Sequence, residues 1–371
     1  MKFSANSTEL QRTLNKLGGV IPSKSTMPIL ENILFELSGD KLTLTATDLA
    51  ISLTVVMDVK GMEDGKIAIP AKRLLDTVRS LPDTATAFSI DTTSNKIRIT
   101  TDNGEYNLTG EAAKDFPAVP PFKGSGEIVL ESSTLRKIIH RTAFAVSTDE
   151  LRPAMMGVLM QVKGSEFRAV STDGHRLVRL IQKGEKPVGL KKDVIIPAKA
   201  LSIVGKTAEE GTTAISVSDT HVRFTFDGSF LVSRLIEEPY PNYESVIPSD
   251  NTKVMTVNRD ATIASIRRVA LYANASTHQV KFDVAKDALK ITAQDVDFGG
   301  EAKETVACSF SGDTLEIGFN SAYLVDMLAH LETEQVTFNF STATRAGLIT
   351  PVGGSAQEEV IMLVMPVRLN P

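Results

Sequence analysis

The chain has 371 residues, of which 42% are hydrophobic and 23% charged, a balance typical of soluble globular proteins large enough for several cores. Its single cysteine, Cys308, excludes an internal disulfide, and no stretch approaches the ~20 consecutive apolar residues of a membrane-spanning helix. The net charge of −5 argues against a strongly basic nucleic-acid-binding domain, although a sum hides how charge is distributed. Without an apolar signal segment after Met1, the sequence predicts a cytoplasmic protein with no membrane partner.

The first third of the chain predicts a helix, strands, a second helix and further strands, in that order. The first helix is indicated by a stripe of leucines, Leu10, Leu14 and Leu17, and the second by a stripe of Leu74, Val78 and Leu81 after a proline. The strands are indicated by alternating residues, at 41–48 ending in Thr-Asp and later at Ile97 and Ile99. Pro70 precedes the second stripe, and proline favours the first turn of a helix because its missing N–H has no partner there.

The middle and last thirds repeat these landmarks. Strands that end at Asp173 and Asp295 follow the one at Asp48 at intervals of 125 and 122 residues. Pro197 opens the second helix of the middle third, and Asn320 offers an N-cap at the same place in the last third. The sequence therefore predicts an α+β protein of three duplicated domains, 1–124, 125–250 and 251–371, each with two helices against antiparallel sheets.

The first helix of each predicted domain carries positive charge. The local balances are +1 for residues 7–17, +3 for 132–145 and +2 for 258–273. These charges could simply be solvated helix faces. The alternative is one basic surface in an otherwise acidic protein, suited to weak contact with phosphates. Neither zinc-finger spacing nor a helix-turn-helix signature is visible, so base-specific recognition is not expected.

Four segments of the sequence resemble the bacterial DNA sliding clamps, the beta subunits of replicative DNA polymerase III. They are Ser-Thr-Asp-Gly-His-Arg-Leu at 171–177, Tyr-Pro-Asn-Tyr at 240–243, Val-Met-Pro-Val-Arg-Leu at 364–369, and Arg-Pro-Ala-Met-Met-Gly-Val-Leu at 152–159. In the last segment, Pro153 and Ala154 stand where some members have aromatic residues. The resemblance covers the whole chain, including its length and threefold repetition.

The resemblance implies a head-to-tail homodimer whose six domains close a ring around duplex DNA without reading its sequence. It implies no chemistry, no cofactor and no metal. The implied partners are the polymerase catalytic subunit, an ATP-dependent clamp loader, repair polymerases and other proteins with a clamp-binding motif. They would dock in a hydrophobic peptide cleft between domains 2 and 3.

The resemblance also assigns residues to sites. The cleft would be lined by Met155, Thr172, Gly174, His175, Arg176, Leu177, Pro241, Val246, Val364, Met365, Pro366, Val367, Arg368 and Leu369. The predicted DNA-facing residues are Arg12, Lys16, Lys24, Lys72, Arg73, Arg136, Lys137, Arg141, Arg152, Lys199, Arg267 and Arg268. The predicted dimer-interface residues are Tyr106, Leu271 and Tyr272. An extension, Asn370-Pro371, follows the family's usual ending.

Two other classes of protein remain as alternatives. Asp173 and His175 could form a catalytic dyad of a hydrolase, because residues two apart on an extended segment share a face. However, neither Asp48 nor Asp295 is followed by an equivalent histidine, and an Asp at a strand end commonly organises its own turn. We therefore predict a structural role for Asp173 and a place in the cleft for His175. A structural or adhesive repeat protein is disfavoured by the missing secretion signal.

Overall fold

A computed structural model of the protein describes residues 1–124, 126–184, 190, 192–295 and 299–369. The chain divides into two compact units, which we call unit 1 (mainly Met1–Arg136 and Lys199–Leu235) and unit 2 (mainly Lys137–Pro187 and Ile236–Pro371). Asn370 and Pro371 lie outside the described residues. The middle third of the chain contributes to both units.

The described residues form six α-helices, two in each third of the chain: α1 (Ser7–Leu17), α2 (Ala71–Ser80), α3 (Ser132–Thr142), α4 (Ala198–Thr207), α5 (Arg259–Val269) and α6 (Ser321–Ala329). This confirms the predicted helices. One detail of the prediction was wrong: Pro70 and Pro197 are the last residues of strands, immediately before the first helical residue rather than inside the first turn. Asn320 does cap α6, because its side chain accepts hydrogen bonds from the amides of Ala322 and Tyr323.

The strands of unit 1 form two antiparallel sheets. Its strands are β1 (Lys2–Asn6), β2 (Asn32–Ser38), β3 (Lys41–Thr47), β4 (Ile51–Asp58), β5 (Lys60–Glu63), β6 (Gly65–Pro70), β7 (Ala85–Asp91), β8 (Lys96–Thr101), β9 (Gly104–Thr109), β10 (Glu127–Glu131) and, later in the chain, β15 (Thr212–Val217), β16 (His221–Phe226) and β17 (Ser229–Arg234). One sheet has the order β5-β1-β7-β8-β9 and the other β10-β15-β16-β17-β4-β3-β2-β6. The second sheet joins strands from the first and middle thirds of the chain, since β17 pairs with β4.

Unit 2 contains one sheet of twelve antiparallel strands. They are β11 (Gly157–Lys163), β12 (Glu166–Thr172), β13 (Arg176–Lys183), β14 (Val194–Pro197), β18 (Lys253–Asn258), β19 (Gln279–Ala285), β20 (Ala288–Asp295), β21 (Gly300–Ser311), β22 (Leu315–Asn320), β23 (Gln335–Phe340), β24 (Gly347–Pro351) and β25 (Glu358–Val364). Their order is β14-β11-β12-β13-β25-β24-β23-β18-β21-β20-β19-β22. Here β13 and β25 join the middle third to the last, as β4 and β17 join the first two.

The cores lie between the helices and one face of each sheet. The predicted apolar stripes are buried: Leu10, Leu14 and Leu17 of α1 have no exposed surface, and neither do Leu324 and Leu328 of α6. Aromatic residues fill the core of the last third, where Phe282 makes edge-to-face contacts with Phe319 and Phe338. Because these helices bury their apolar faces against the sheets, most of their charged residues lie on the opposite faces.

Candidate functional site

The cations of α1 and α4 lie together in unit 1. Arg12, Lys16, Lys199 and Lys206 line a groove of about 490 Å³, where Glu209 is the one carboxylate among the lining residues. Glu209 contacts the guanidinium of Arg12, and this hydrogen bond raises the pKa of Arg12 and lowers that of Glu209. The groove therefore carries a surplus of positive charge in a protein that is negative overall.

Other predicted DNA-facing cations are exposed and have no carboxylate within 4 Å among the described residues. They are Lys24, Lys72, Arg73, Arg136 and Arg267. The groove residue Lys199 and two further members are exposed but paired: Lys199 with Asp48, Arg152 with Asp149 at 2.8 Å and Arg268 with Glu304 at 2.6 Å. Exposed pairs of this kind contribute only ~0–1 kcal/mol, so a phosphate can compete for the cation.

Arg141 contradicts the sequence prediction. It is only 6% exposed, and its guanidinium contacts the carboxylates of Glu358 and Glu332, the latter at 2.9 Å. Lys137, one turn earlier on α3, lies 3.6 Å from Glu358 and remains partly exposed. These ion pairs inside unit 2 neutralise the charge of Arg141, so its assignment to the DNA-facing set was wrong.

The turn between β12 and β13 positions several predicted cleft residues. Oδ1 of Asp173 accepts hydrogen bonds from the amides of His175 (2.8 Å) and Arg176 (2.9 Å), and Oδ2 lies 3.1 Å from Nε of Arg176. Gly174 supplies the positive φ of +91° that the turn requires. The structural role predicted for Asp173 is confirmed. With both oxygens occupied, Asp173 is not available to orient His175 for hydrolysis, which argues against the hydrolase alternative.

Arg176 points away from solvent. Its guanidinium contacts Asp326 of α6 at 2.5 Å, donates to the carbonyl oxygen of Phe144 at 2.9 Å, and stacks 4.9 Å from the ring centre of Tyr323. The residue is 9% exposed. Arg176 therefore ties the turn to α6, and its place in the cleft lining stays a prediction.

Three more predicted lining residues lie beneath the surface. Thr172, Leu177 and Val364 are 7%, 2% and 0% exposed, so little of their surface is open to a ligand in this packing. The hydroxyl of Thr172 donates to the carbonyl oxygen of Arg176 at 2.7 Å. Leu177 packs with Leu363 in an apolar layer of the sheet.

The segment 240–247 covers part of this apolar layer. The hydroxyl of Tyr240 donates to the carbonyl oxygen of Val170, and burial raises the pKa of Tyr240. Leu348 and Leu363 complete the layer, and sequence reasoning missed them. Their signal is a short run of consecutive apolar residues in β24 and in β25, which indicates a buried strand but not what covers it.

The remaining predicted cleft residues reach the surface. Val246 and Met365 are 53% and 42% exposed, unusual for apolar side chains, and Gly174, His175, Pro241 and Arg368 are also exposed. Met155, Pro366, Val367 and Leu369 are half-buried.

The C-terminal tail is fixed at two points. The amide of Met365 donates to the carbonyl oxygen of His175 at 2.8 Å, and that of Val367 to the carbonyl oxygen of Gly318 at 2.9 Å. Met365 is thereby held beside the turn that carries His175. The tail and the turn form one surface of unit 2.

The predicted dimer-interface residues are exposed apolar side chains at element edges. Tyr106, 38% exposed, lies on β9, an edge strand of the five-stranded sheet. Leu271 and Tyr272, 82% and 49% exposed, lie in the 3₁₀ turn after α5. Exposed edges and isolated large apolar residues are features that association commonly covers.

Within the described residues, no group of three or more histidine, cysteine or carboxylate side chains is arranged to hold a metal ion. No described helix is both long and apolar enough to cross a bilayer.

Comparisons with known proteins cover the whole chain. The family descriptions of the DNA polymerase III beta subunit match in order: the N-terminal domain over residues 1–120, the central domain over 129–242 and the C-terminal domain over 244–368. The beta sliding clamps of Pseudomonas putida and Chlamydia muridarum are 32% and 30% identical, each over all of both chains.

Solved structures agree. The sliding clamp of Bartonella birtlesii bound to griselimycin has 30% identity and a TM-score of 0.93, with both chains fully covered. A sliding clamp from Pseudomonas aeruginosa has 30% identity and a TM-score of 0.90 over the same coverage. The chain belongs to the DNA polymerase III beta-subunit family, the bacterial sliding clamps, which are non-catalytic processivity factors of DNA polymerase.

Proposed function

We propose that two copies of the chain associate head to tail and close a ring around duplex DNA. The observation that carries this proposal is the set of exposed cations on the paired helices of an acidic protein. Such cations can attract phosphates without reading bases, and a ring holds DNA by topology, so the attraction can stay weak enough for sliding. The domains are 1–124, 125–250 and 251–371, and the site of action is the cytoplasm.

The DNA-facing set in this proposal is the predicted one without Arg141. The groove between α1 and α4 supports it most directly, because four cations there face one carboxylate. Arg136 and Arg267 support it on α3 and α5, since both are exposed and unpaired among the described residues.

The experiment that tests topological binding is retention on DNA after loading with the cognate loader and ATP. A nicked circle is compared before and after cutting to a linear duplex with free ends. We expect protein to remain on the circle at high salt and to run off once it is cut. Retention that ignores the cut and falls steeply with salt would show ordinary phosphate binding and refute the ring.

The dimer uses Tyr106 on one protomer against Leu271 and Tyr272 on its partner. The support is their exposure on different units, which suits a head-to-tail contact between unlike surfaces. Leu271→Glu is expected to shift sedimentation to the monomer without lowering the thermal midpoint of unit 2. Leu151→Glu, at an exposed leucine elsewhere, is the matched control. An unchanged dimer in Leu271→Glu would remove this residue from the interface.

The exposed surface around Met365, Val246 and His175 is the peptide cleft, with Leu177 and Leu363 beneath it. Its occupants are short clamp-binding motifs of the polymerase catalytic subunit, the ATP-dependent loader, repair polymerases and other partners. Apolar walls bury a partner's anchor side chains, and the flexible Met365 adapts to several partners.

Deleting residues 365–369 together with Asn370 and Pro371 tests the cleft. Polymerase binding is expected to be lost while the dimer persists. Polymerase binding at wild-type affinity would refute the assignment of these residues to the cleft. His175→Ala should give a smaller loss of partner affinity, with no turnover of any substrate to lose.

A further inference from the structure

The two units repeat the same sheet junction closely enough to be compared residue by residue. In unit 2 the amide of Met365, after β25, donates to the carbonyl oxygen of His175 at 2.8 Å. In unit 1 the amide of Arg234, the last residue of β17, donates to the carbonyl oxygen of Ala50 at 2.9 Å. The turns before β4 and β13 also share their internal hydrogen bonds.

In unit 2 the outer face of this junction is filled by a tyrosine of the same chain. Tyr243 is 6% exposed, and its hydroxyl donates to Oε1 of Gln161 at 2.8 Å. The following residue, Glu244, lies 3.1 Å from both Lys163 and Arg168. A Tyr-Glu pair thus closes the space: the ring enters the sheet face and the carboxylate binds the neighbouring cations.

In unit 1 the equivalent space is open. Phe-Pro-Ala-Val at 116–119 matches Tyr-Pro-Asn-Tyr at 240–243, so Val119 stands where Tyr243 stands. On the sheet, the cross-strand pair Glu36 and Thr43 takes the place of the pair Gln161 and Arg168. Val119 is smaller than Tyr243 and Thr43 is smaller than Arg168, and unit 1 has a groove of about 700 Å³ here.

The groove keeps the chemistry that holds a tyrosine in unit 2. Its floor is the strand face that carries Thr43, Thr45 and Thr54, and its walls include the rings of Phe116 and Phe230. Glu36 offers an acceptor where Gln161 accepts the phenol of Tyr243. An aromatic ring with a hydroxyl donor therefore fits both the apolar walls and the carboxylate.

The charges at the rim of the groove favour an acidic residue beside that aromatic residue. Two lysines, Lys66 and Lys114, line the groove against the single carboxylate of Glu36, which contacts Lys66. Lys114 is exposed and has no carboxylate within 4 Å among the described residues. A net charge of +1 in a protein of −5 complements an acidic neighbour of the aromatic residue.

We propose that this groove of unit 1 docks an extended peptide of a partner protein in which a tyrosine is followed by an acidic residue. The ring occupies the space that Tyr243 fills in unit 2, its hydroxyl donates to Glu36, and the acidic side chain faces Lys66 and Lys114. This site is separate from the cleft around Met365 and does not depend on it.

The test uses full-length protein and an acetylated hexapeptide with the sequence of residues 241–246, Pro-Asn-Tyr-Glu-Ser-Val. Binding is measured by calorimetry and by peptide-observed NMR. Replacing the peptide's tyrosine by phenylalanine should weaken binding about five-fold, the effect of one hydrogen bond. Lys114→Glu, at an exposed position that does not endanger folding, should weaken binding at least three-fold, a lower bound for reversing one rim charge.

Val119→Tyr copies the residue of unit 2 and should fill the groove from within. We expect it to lower peptide affinity at least ten-fold. Val129→Tyr is the matched control, because Val129 is 55% exposed on β10, outside the groove, and should leave affinity unchanged.

Three outcomes overturn the proposal: no binding to the wild type, equal binding to Val119→Tyr, or binding that Met365→Ala abolishes while Val119→Tyr does not. The last would assign the peptide to the cleft. DNA retention is measured on the same variants and should not change, so failure of this site is distinguishable from failure of the clamp function.

Discussion

Replacing Arg141 by alanine separates the two roles that its position on α3 suggests. As a cation on a helix of a DNA-encircling protein, it would affect retention on DNA and leave stability unchanged. As a buried ion-pair partner of Glu358 and Glu332, it would affect stability first. The structure supports the second role, so Arg141→Ala is expected to destabilise unit 2.

The magnitude follows from what the substitution leaves behind. The side chain of Glu358 is 11% exposed, and without Arg141 its nearest cation is Lys137 at 3.6 Å. Breaking a buried pair costs about 3–5 kcal/mol because a charge remains desolvated. Lys137 provides partial compensation, so we expect about 3 kcal/mol, or a fall in the thermal midpoint of roughly 6–12 °C for a unit of this size.

The assay compares the calorimetric unfolding of Arg141→Ala with that of Arg136→Ala. Arg136 is the control because it lies on the same helix but is exposed. Arg136→Ala should unfold like the wild type and lower the fraction of protein that is loaded onto circular DNA. A double variant, Arg141→Met with Glu358→Leu, should recover much of the stability because no unpaired charge remains. An unchanged midpoint in Arg141→Ala, together with reduced DNA retention, would refute the reasoning.

Three other substitutions test parts of unit 2. Burial, and then the neighbouring His330, lower the pKa of His140 below 6.5. Near and below pH 6.5 the folded protein therefore binds fewer protons than the unfolded chain, so its stability should fall as the pH drops below 6.5. His140→Gln should flatten this pH dependence in unfolding curves. Gly318→Ala would put a methyl 2.8 Å from tail atoms, so partner-peptide affinity should fall while the core transition stays unchanged. Asp173→Ala removes two backbone hydrogen bonds and the contact with Arg176, so we expect a loss of about 2 kcal/mol in urea unfolding, whereas Asp173→Asn should retain most of it.

The sequence was sufficient to predict the elements because the duplication repeats local signals three times. A helical stripe, a strand ending in Asp, and a second stripe recur at fixed intervals, and each depends on residues close in the chain. The N-cap at Asn320 and the turn at Asp173 belong to this class, since the side chain and the amides it binds are two or three residues apart. Signals of this range survive in a single sequence.

Burial of charged residues could not be predicted in the same way. Arg141 shares a helix face with Lys137, yet only Arg141 is buried. Its partner Glu358 lies 217 residues away, so no local pattern in the sequence indicates this burial. The inward turn of Arg176 likewise depends on Asp326, 150 residues later. Both residues lie where the middle and last thirds share a sheet. A sequence pattern within one third contains no information about contacts with another third.

Leu49 shows that the repeated turn is set by its aspartate and not by a glycine. Leu49 adopts a φ of +74°, where Gly174 has +91° in the equivalent turn, and both turns keep two amide hydrogen bonds to the preceding carboxylate. A left-handed conformation costs a residue with a Cβ about 1–2 kcal/mol. The Asp48 hydrogen bonds offset this cost, so the scaffold tolerates different side chains at one position. Leu49→Gly should therefore raise the free energy of unfolding by less than about 1 kcal/mol, because relief of strain is partly cancelled by the freer unfolded chain. A large loss in Leu49→Gly would instead show that the half-exposed leucine makes contacts that the turn needs, and that the aspartate alone does not hold it.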